Sequence, residues 1–387
     1  MADVVFLTTA KRLRVTEEIL KPRTRDRISR RGFLESTALA TAGLLADVSP
    51  ANAALRVADG SDIAKPDLTP TKIALEEHFA LAETIGDSSA APHSPEFKRQ
   101  ILDLGSGRVA EMDRGGIELC VLSLVNPGVQ VIPDVSQAVA SARRSNDYLA
   151  DCVAKNPKRF KGFAALPLQD PQAAAEELTR CVKQLGFCGA LVHGFSQIGE
   201  ADTAFYYDLP QYRPFWATVQ QLDVPFYLHP REPLASRRQA YEGQQWMSGG
   251  PWGFGVETST HALRLMGSGL FDEYPKLKVV LGHLGEGLPF SIWRVDHRIS
   301  KPGLVIKAKL PMRQYLRENF YITTSGNFHT PALNEVLAEV GVDRVLYSVD
   351  YPFEDTSEAA AWFDQIALSE TDRAKITRSN AVKLLHL

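Results

Sequence analysis

The stretch IALEEHF, residues 73–79, begins with apolar residues and ends with charged ones. Its apolar start is typical of a strand in a protein interior, whereas Glu76, Glu77 and His78 are costly to bury without polar partners. Glu76 and His78 lie two residues apart, so on a strand their side chains point to the same side and that of Glu77 to the opposite side. The stretch predicts a strand that presents a carboxylate and an imidazole together at its carboxyl end.

Further short apolar or β-branched runs follow along the chain, separated by segments with helical periodicity such as 136–155, 171–185 and 355–367. Alternating strands and helices are typical of right-handed βαβ units, which build a parallel sheet. Eight such strands predict an α/β fold of the (β/α)8 TIM barrel type. The eight predicted strands are 73–78, 119–124, 161–167, 189–194, 224–229, 277–283, 320–325 and 344–350.

Polar residues stand at the carboxyl ends of several predicted strands, and in a barrel all of these ends lie at one face. Two imidazoles and two carboxylates among them suit a divalent ion such as Zn²⁺ or Mn²⁺, with room left for a water or a substrate. A single histidine at a strand end is more often a hydrogen-bonded structural residue, but four converging residues favour a metal site. These four are Glu76, His78, His229 and Asp350.

The segment LGHLGEG, residues 281–287, places Glu286 three residues after His283. A carboxylate at this spacing can accept a hydrogen bond from one imidazole nitrogen and fix the tautomer of the ring, so the pair resembles a catalytic histidine and its partner. The alternative is that His283 only caps the following helix. Arg294, further along in SIWRVDHR, could reach a substrate carboxylate or could be a solvated or salt-bridged surface residue.

The composition of the 387-residue chain is that of an ordinary globular protein, with 44% hydrophobic and 23% charged residues. The formal net charge is -3, and no run of Lys and Arg beyond the first 31 residues favours a nucleic-acid partner. We expect buried free thiols, no disulfide framework and no cysteine metal site, because the cysteines form no C-x-x-C pair and lie in or beside apolar segments. They are Cys120, Cys152, Cys181 and Cys188.

The amino-terminal region differs from the rest of the chain. Basic residues precede the paired arginines Arg30 and Arg31, an Ala/Leu-rich stretch follows at 36–46, and residues 51–53 read Ala-Asn-Ala. This order is typical of a secretory signal of the twin-arginine type. The apolar stretch is too short for a permanent membrane anchor.

We therefore expect a protein that is exported to the periplasm. A disordered basic leader or a surface helix is the alternative for the first residues, and the protein would then be cytoplasmic. The predicted organisation is a leader at 1–53, a polar linker at 54–71 and one barrel domain at 72–387.

Long motifs of this chain closely resemble the nonoxidative decarboxylases of the amidohydrolase superfamily that act on γ-resorcylate and 2,3-dihydroxybenzoate. The resemblance runs from about residue 72 to residue 387. The superfamily more often opens with an H-x-H pair, so the E-x-H pair here points to the decarboxylase branch. The motifs include ALEEHF (74–79), ALPLQDP (165–171), YYDLPQYRPFW (206–216), DVPFYLHPREP (223–233), ENFYITTSGNF (318–328) and YSVDYPFED (347–355).

The resemblance implies roles for individual residues. Glu76, His78, His229 and Asp350 are then ligands of one divalent ion, His283 with Glu286 is a catalytic dyad, and Asp350 gives a proton to the ring carbon that bears the carboxylate. Arg294 then belongs to the substrate pocket, with Phe79 and Trp293 as candidates for its apolar wall. His193 stands where these relatives usually carry Asn, so it is expected to contact the substrate or add a metal ligand, and His93 lies where an aromatic residue would cover the bound ring.

The expected activity is the metal-dependent release of CO₂ from a hydroxylated benzoate, a small aromatic acid, without an organic cofactor. The resemblance also implies a homo-oligomer, either a dimer or a tetramer. The residues alone leave a second reaction open, because the same ion could activate a water with Asp350 as base in a lactone or amide hydrolase. A metal-dependent binding protein without turnover is a third possibility, but it would be expected to lack Asp350 or His283.

Overall fold

The computed structural model of the chain describes residues 72–89 and 92–387, and the predicted leader and linker lie outside them. Each of the eight predicted runs overlaps one parallel strand. The strands are β1 (Lys72–Phe79), β2 (Ile117–Leu124), β3 (Phe160–Gly162), β4 (Ala190–His193), β5 (Phe226–His229), β6 (Val279–Leu281), β7 (Phe320–Thr323) and β8 (Val345–Leu346).

The strands pair in chain order, β1 to β3 in one ladder and β4 to β8 in another. Single parallel bridges connect the two ladders on both sides, from Ala164 to Ala190 and from Glu77 to Tyr351. At the second of these connections the His78 amide donates to the Tyr351 carbonyl over 2.8 Å. The α/β fold is therefore the predicted (β/α)8 barrel, whose strands run in order around one axis.

Helices follow most of the strands and cover the outside of the barrel. Three begin at an aspartate whose side chain accepts backbone N–H bonds of the first turn, which satisfies donors that would otherwise lack partners: Asp134, Asp170 and Asp355. The helices are α1 (Pro95–Leu102), α2 (Ser106–Arg114), α3 (Val135–Lys155), α4 (Pro171–Gln184), α5 (Arg213–Leu222), α6 (Gly253–Gly267), α7 (Leu270–Glu273), α8 (Leu288–Ile299), α9 (Met312–Asn319), α10 (Thr330–Val340), α11 (Thr356–Gln365), α12 (Glu370–Ala374) and α13 (Asn380–Leu385).

Two layers of apolar side chains make up most of the core. The larger one packs between the strands and the helices, and the smaller one fills the inside of the barrel with residues from alternate strand positions, Leu75, Val121, Leu191 and Val280 among them. Leu384 and Leu385 of α13 belong to the same inner cluster. Because this inner layer is apolar, polar side chains inside the barrel are placed at the carboxyl ends of the strands.

The four cysteines are buried free thiols. Burial raises the pKa of the Cys188 thiol to about 12. Among the described residues no helix combines the length and the apolar character needed to cross a bilayer.

Candidate metal centre and active site

Strand β1 delivers Glu76 and His78 to the inside of the barrel, as the alternation of the stretch predicts. The pairing of β1 with β2 shifts register between Ala74 and Glu77, an irregularity within the strand that the sequence did not indicate. Glu77 lies on the other side, where its carboxylate accepts the Val349 amide hydrogen over 3.0 Å. Burial raises the pKa of Glu77 to about 8.

The Glu76 carboxylate is fully buried and is held by hydroxyl groups. Its Oε2 accepts hydrogen bonds from Tyr227 on β5 and from Ser325, which follows β7. These donors fix the orientation of the carboxylate and leave Oε1 free to face the centre of the barrel. His78 is held in a similar way, because its Nδ1 lies 3.2 Å from the Ser123 hydroxyl at the end of β2.

The four predicted metal residues come together. One ligand atom from each lies within 4.8 Å of the others. We call this group of residues the cation cluster, and it consists of Glu76, His78, His229 and Asp350. His78 Nε2 is 3.1 Å from Asp350 Oδ1, and His229 Nε2 is 3.1 Å from Glu76 Oε1. Two imidazole nitrogens and two carboxylate oxygens therefore surround one small volume.

The ligand atoms at the centre of this cluster lack partners. Glu76 Oε1, His78 Nε2 and Asp350 Oδ1 are buried and have no hydrogen-bond partner among the described residues. Buried polar atoms are nearly always paired, because an unpaired one loses its solvation without compensation. Acceptor atoms that converge without a donor between them fit a cation, and this mixture of nitrogen and oxygen ligands fits a divalent transition-metal ion.

The protonation states also suit ligands. Burial raises the pKa of Glu76, but the charges of His283, His229 and His78 lower it further, so the net result lies well below the usual range. Burial likewise raises the pKa of Asp350, and its contacts with His283 and His78 outweigh this and lower it. Burial lowers the pKa of His78. The carboxylates are therefore ionised and the His78 imidazole is neutral at neutral pH, which is the state in which each binds a metal.

His283 and Glu286 form the predicted pair. His283 Nδ1 is 2.7 Å from Glu286 Oε1, and His283 Nε2 is 3.5 Å from Asp350 Oδ2. Burial lowers the pKa of His283, but the Glu286, Glu76 and Asp350 carboxylates together raise it well above its usual range. The side chain of His283 thus connects Glu286 to Asp350, and it does more than cap the next helix.

The backbone around this pair is strained. His283, Glu286 and Asp350 have φ values of 50°, 58° and 81°, a left-handed conformation that residues with a side chain seldom adopt. The turn is held by hydrogen bonds, among them one from the His283 amide to Ser325 Oγ over 3.1 Å. Strained non-glycine residues are characteristic of functional sites, where the surrounding structure maintains them.

A pocket of about 620 Å³ opens next to the cluster. Phe254 and Phe353 give it apolar surface, and the Phe353 ring lies 5.8 Å from the His78 ring. His93 lies in this lining as expected, with its ring stacked on Phe97 at 4.1 Å. The other lining residues are Ser89, Asn126, His229, Glu232, Gly249, Gly250, Pro251, His283, Gly326, Asp350 and Glu354.

Four residues that were predicted to contact the substrate lie away from this pocket. Phe79 is buried against Tyr148 in the outer core, while Arg294 and Trp293 project outward from α8. His193 is buried behind His229, with its Nδ1 2.9 Å from His229 Nδ1. None of the four lines the pocket of this chain, because a strand end or helix position alone does not give the direction of a side chain. Their predicted contact with a substrate stays a prediction.

Several residues that matter for the site carried little signal in the sequence. Tyr227 lies within an apolar segment, and Phe353 stands in the motif after Asp350 without a feature that marks it as pocket lining. Ser123 and Ser325, by contrast, stand at strand ends, where a polar residue is a usable signal. Their partners are His78 and Glu76.

Comparison with known proteins agrees with this geometry. A sequence model described as amidohydrolase matches residues 107–387. The γ-resorcylate decarboxylases of Polaromonas sp. strain JS666 and Rhizobium sp. strain MTP-10005 are 56% and 53% identical over 321 residues, covering 82% of this chain and 98% of each relative. A crystal structure of a dihydroxybenzoic acid decarboxylase from Polaromonas sp. JS666 contains manganese and the inhibitor 2-nitroresorcinol. The sequence of that enzyme is 55% identical to this chain.

That structure superimposes with a TM-score of 0.79, over 82% of this chain and 97% of the other. The family model includes His229, His283, Glu286 and Asp350, which all lie between residues 107 and 387. The chain thus belongs to the amidohydrolase superfamily, in its family of γ-resorcylate decarboxylases.

Proposed function

We propose that this protein is a carboxy-lyase that removes CO₂ from an ortho-hydroxylated benzoate, of the 2,6-dihydroxybenzoate (γ-resorcylate) type, without oxidation. The observation that carries the proposal is a pair of contacts: Glu286 contacts His283, and His283 contacts Asp350, which belongs to the cation cluster and lines the pocket. Relatives more than half identical over 82% of this chain are named as decarboxylases of this acid.

The residues that would hold the ion are Glu76, His78, His229 and Asp350. Mn²⁺ is the ion we propose, because the structure of a close relative contains manganese and the mixed donor set suits it. The chemistry supplied there by a bound divalent ion is Lewis-acid stabilisation of negative charge on the carboxylate and phenolic oxygens of the substrate.

The protein's own residues supply the proton. His283 holds it on Nε2, 3.5 Å from Asp350 Oδ2, and passes it to Asp350 when the substrate binds. Asp350 then gives the proton to the ring carbon that bears the carboxylate. The bond between that carbon and the carboxylate breaks, its electron pair restores the aromatic ring, and neutral CO₂ leaves.

The remaining pocket residues position the ring and limit its contact with water. Phe353 and Phe254 provide apolar surface, which favours neutral CO₂ over the charged carboxylate. Asn126 is fixed by a 2.7 Å hydrogen bond from its amide nitrogen to the Pro230 carbonyl, so its oxygen is available to a hydroxyl group of the substrate. We expect His93, which lines the pocket, to cover one edge of the ring.

We also propose a homo-oligomer and an exported protein. The support for the first is helix α8, where Phe290 is 81% and Trp293 is 59% exposed on neighbouring turns of one face. The support for the second is the order of basic, apolar and Ala-Asn-Ala segments in residues 1–53.

The activity is tested by loading metal-free protein with Mn²⁺ and following CO₂ release and loss of the acid. We expect turnover of 2,6-dihydroxybenzoate to 1,3-dihydroxybenzene and no turnover of 3-hydroxybenzoate, which lacks an ortho hydroxyl group. Lactones are assayed in parallel. Hydrolysis of a lactone without decarboxylation of any 2-hydroxybenzoate would show that the chain is a hydrolase.

The proton path is tested with Glu286→Gln, which leaves all four cluster residues in place. We expect it to lower kcat by about 100-fold or more, the usual contribution of a positioned acid or base, while the bound Mn²⁺ stays at the wild-type level. Asp350→Asn should abolish turnover as well, but its metal content must be measured because Asp350 belongs to the cluster. Wild-type kcat in Glu286→Gln would remove the pair from the mechanism.

A further inference from the structure

His193 lies next to a residue of the cation cluster without being part of that cluster. It ends β4, is paired in register with His229 at the end of β5, and is 1% exposed. Residues in register on neighbouring parallel strands point to the same face, so the two imidazoles meet inside the barrel. The ring of His193 is outside both the pocket lining and the cluster.

Two backbone carbonyls determine where the hydrogens of these rings are. His193 Nε2 is 2.8 Å from the Leu124 carbonyl oxygen, and His229 Nδ1 is 2.8 Å from the Pro230 carbonyl oxygen. A carbonyl only accepts hydrogen bonds, so each of these nitrogens carries a hydrogen. His193 Nδ1 is then the acceptor in the 2.9 Å contact with His229 Nδ1.

The opposite arrangement would block the cation cluster. If His193 donated from Nδ1, His229 would have to accept at Nδ1 and carry its hydrogen on Nε2. That nitrogen faces Glu76 Oε1 at 3.1 Å, and a hydrogen on it would occupy the position of the cation. A neutral His193 that accepts at Nδ1 is therefore the state compatible with an ion.

Close packing and a backbone hydrogen bond hold the His193 ring in this orientation. Gly128 approaches it so closely that an added Cβ would lie 2.5 Å from His193 Cδ2, and the φ of Gly128 is +61°. The backbone amide of His193 donates to Gln130 Oε1 over 3.3 Å. The segment between β2 and α3 thus contacts both the ring and the backbone of His193.

We propose that His193 is a positioning residue, which shares the Nδ1 hydrogen of His229 with the Pro230 carbonyl and thereby holds the ring with its bare Nε2 toward the divalent ion. The chain of contacts runs from the Leu124 carbonyl through both rings to the cluster. This inference rests on the proposed role of His229 as a metal ligand. It does not require His193 to touch either the ion or the substrate.

Two substitutions of similar size, His193→Asn and His193→Gln, test the contacts of Nδ1 and Nε2 separately. The amide of Asn occupies the place of Nδ1 and retains an acceptor for His229, whereas the amide of Gln extends to the place of Nε2 and retains only the contact with Leu124. The measurement is the Mn²⁺ dissociation constant of metal-free protein, read from the electron paramagnetic resonance signal of the free ion, together with the thermal unfolding midpoint.

We expect His193→Gln to weaken Mn²⁺ binding by about 10-fold to 100-fold, the usual effect of losing a residue that orients a metal ligand. His193→Asn should bind Mn²⁺ nearly as tightly as the wild type. A purely structural role would instead lower the unfolding midpoint of both variants without this ranking. Wild-type Mn²⁺ affinity in a folded His193→Gln protein would overturn the proposal.

A second measurement detects the tautomer itself. In metal-free protein labelled with ¹⁵N-histidine, the imidazole signal that His229→Gln removes should have the pattern of a ring protonated at Nδ1. Protonation of His229 at Nε2 in the wild type would contradict the inference. If the Mn²⁺ affinities of the wild type and the two variants follow the expected ranking but the wild type decarboxylates no 2-hydroxybenzoate, the proposed function is refuted and this inference stands.

Discussion

His261 is a buried imidazole on α6 whose hydrogen-bonding state is determined by one backbone group. Its Nε2 accepts the Tyr207 amide hydrogen over 3.1 Å, and its Nδ1 has no partner in the described part of the chain. Burial, and secondarily the charge of Arg264, lowers the pKa of His261 to about 3. Protonation would place a second N–H against the Tyr207 amide, so the folded protein keeps this ring neutral.

The low pKa of His261 makes the stability of the folded protein depend on pH in acid. The unfolded chain takes up a proton at His261 as the pH falls below about 6.5, whereas the folded chain does not until the pH approaches 3. Stability that is present above pH 6.5 is therefore lost as the pH falls, by up to about 1.4 kcal/mol per pH unit from this residue. His261→Gln keeps an acceptor for Tyr207 without a titrating group, and its unfolding free energy should fall less steeply.

The comparison uses urea unfolding of metal-free protein at pH 7, 6 and 5. Taking the difference between wild type and His261→Gln removes the contribution of the other titrating groups. Equal pH dependence of the two proteins would refute this account of His261.

Single residues were predictable where their position on a strand decides their role. Glu76 and Asp350, which are far apart in the chain, could be assigned to one site because the carboxyl ends of parallel strands meet at one face. The direction of Arg294 and Trp293 could not be predicted, because either side of α8 could face the barrel and the sequence does not mark which. The role of His193 depends on one contact with another ring, which no periodicity reveals.

Among the structural elements, the connection between β1 and the turn after β8 is the one on which the cluster depends, since these segments supply His78 and Asp350. Arg108 on α2 joins them. Its Nη2 donates to the His78 carbonyl over 2.7 Å, and its guanidinium lies 4.4 Å from the centre of the Tyr351 ring. Arg108 is 1% exposed, so these contacts are made in an environment of low polarity, where each is strong.

Arg108→Lys tests this connection. A lysine keeps the charge but has neither the planar group that stacks on Tyr351 nor the reach of the guanidinium fork. We expect the unfolding free energy to fall by about 1–3 kcal/mol, the range for losing a hydrogen bond from a charged group. The matched control is Arg99→Lys on α1, where the arginine is exposed and its ion pair within the described residues is with Glu96, and there we expect little change. Equal effects of the two substitutions would contradict the role of Arg108.

The order and type of the elements followed from the sequence, but their lengths did not. Strand β8 contains only two residues, although the apolar run predicted for it covers 344–350. The chain leaves the ladder after Leu346 and turns through the left-handed conformation of Asp350. Local pattern cannot predict such an exit, because the geometry of the site rather than the propensity of the residues requires it.

At the scale of the whole molecule, the cluster connects parts of the barrel that lie far apart in the chain. Its residues come from β1, β5 and the turn after β8, so the complete site exists only in the folded barrel. An ion that binds the folded chain and not the unfolded chain stabilises the fold by mass action. The apolar filling of the barrel and its helical cover were predictable from periodicity, whereas the leader at 1–53 lies outside the described residues and stays a prediction.

The most direct test of this account is Mn²⁺ binding to metal-free protein, with the bound ion located by anomalous scattering in crystals grown with Mn²⁺. We predict one ion per chain, in contact with all four residues of the cluster, and a higher thermal unfolding midpoint in the presence of Mn²⁺. Crystals that contain no ion between Glu76, His78, His229 and Asp350 under conditions in which the protein is active would contradict the central claim.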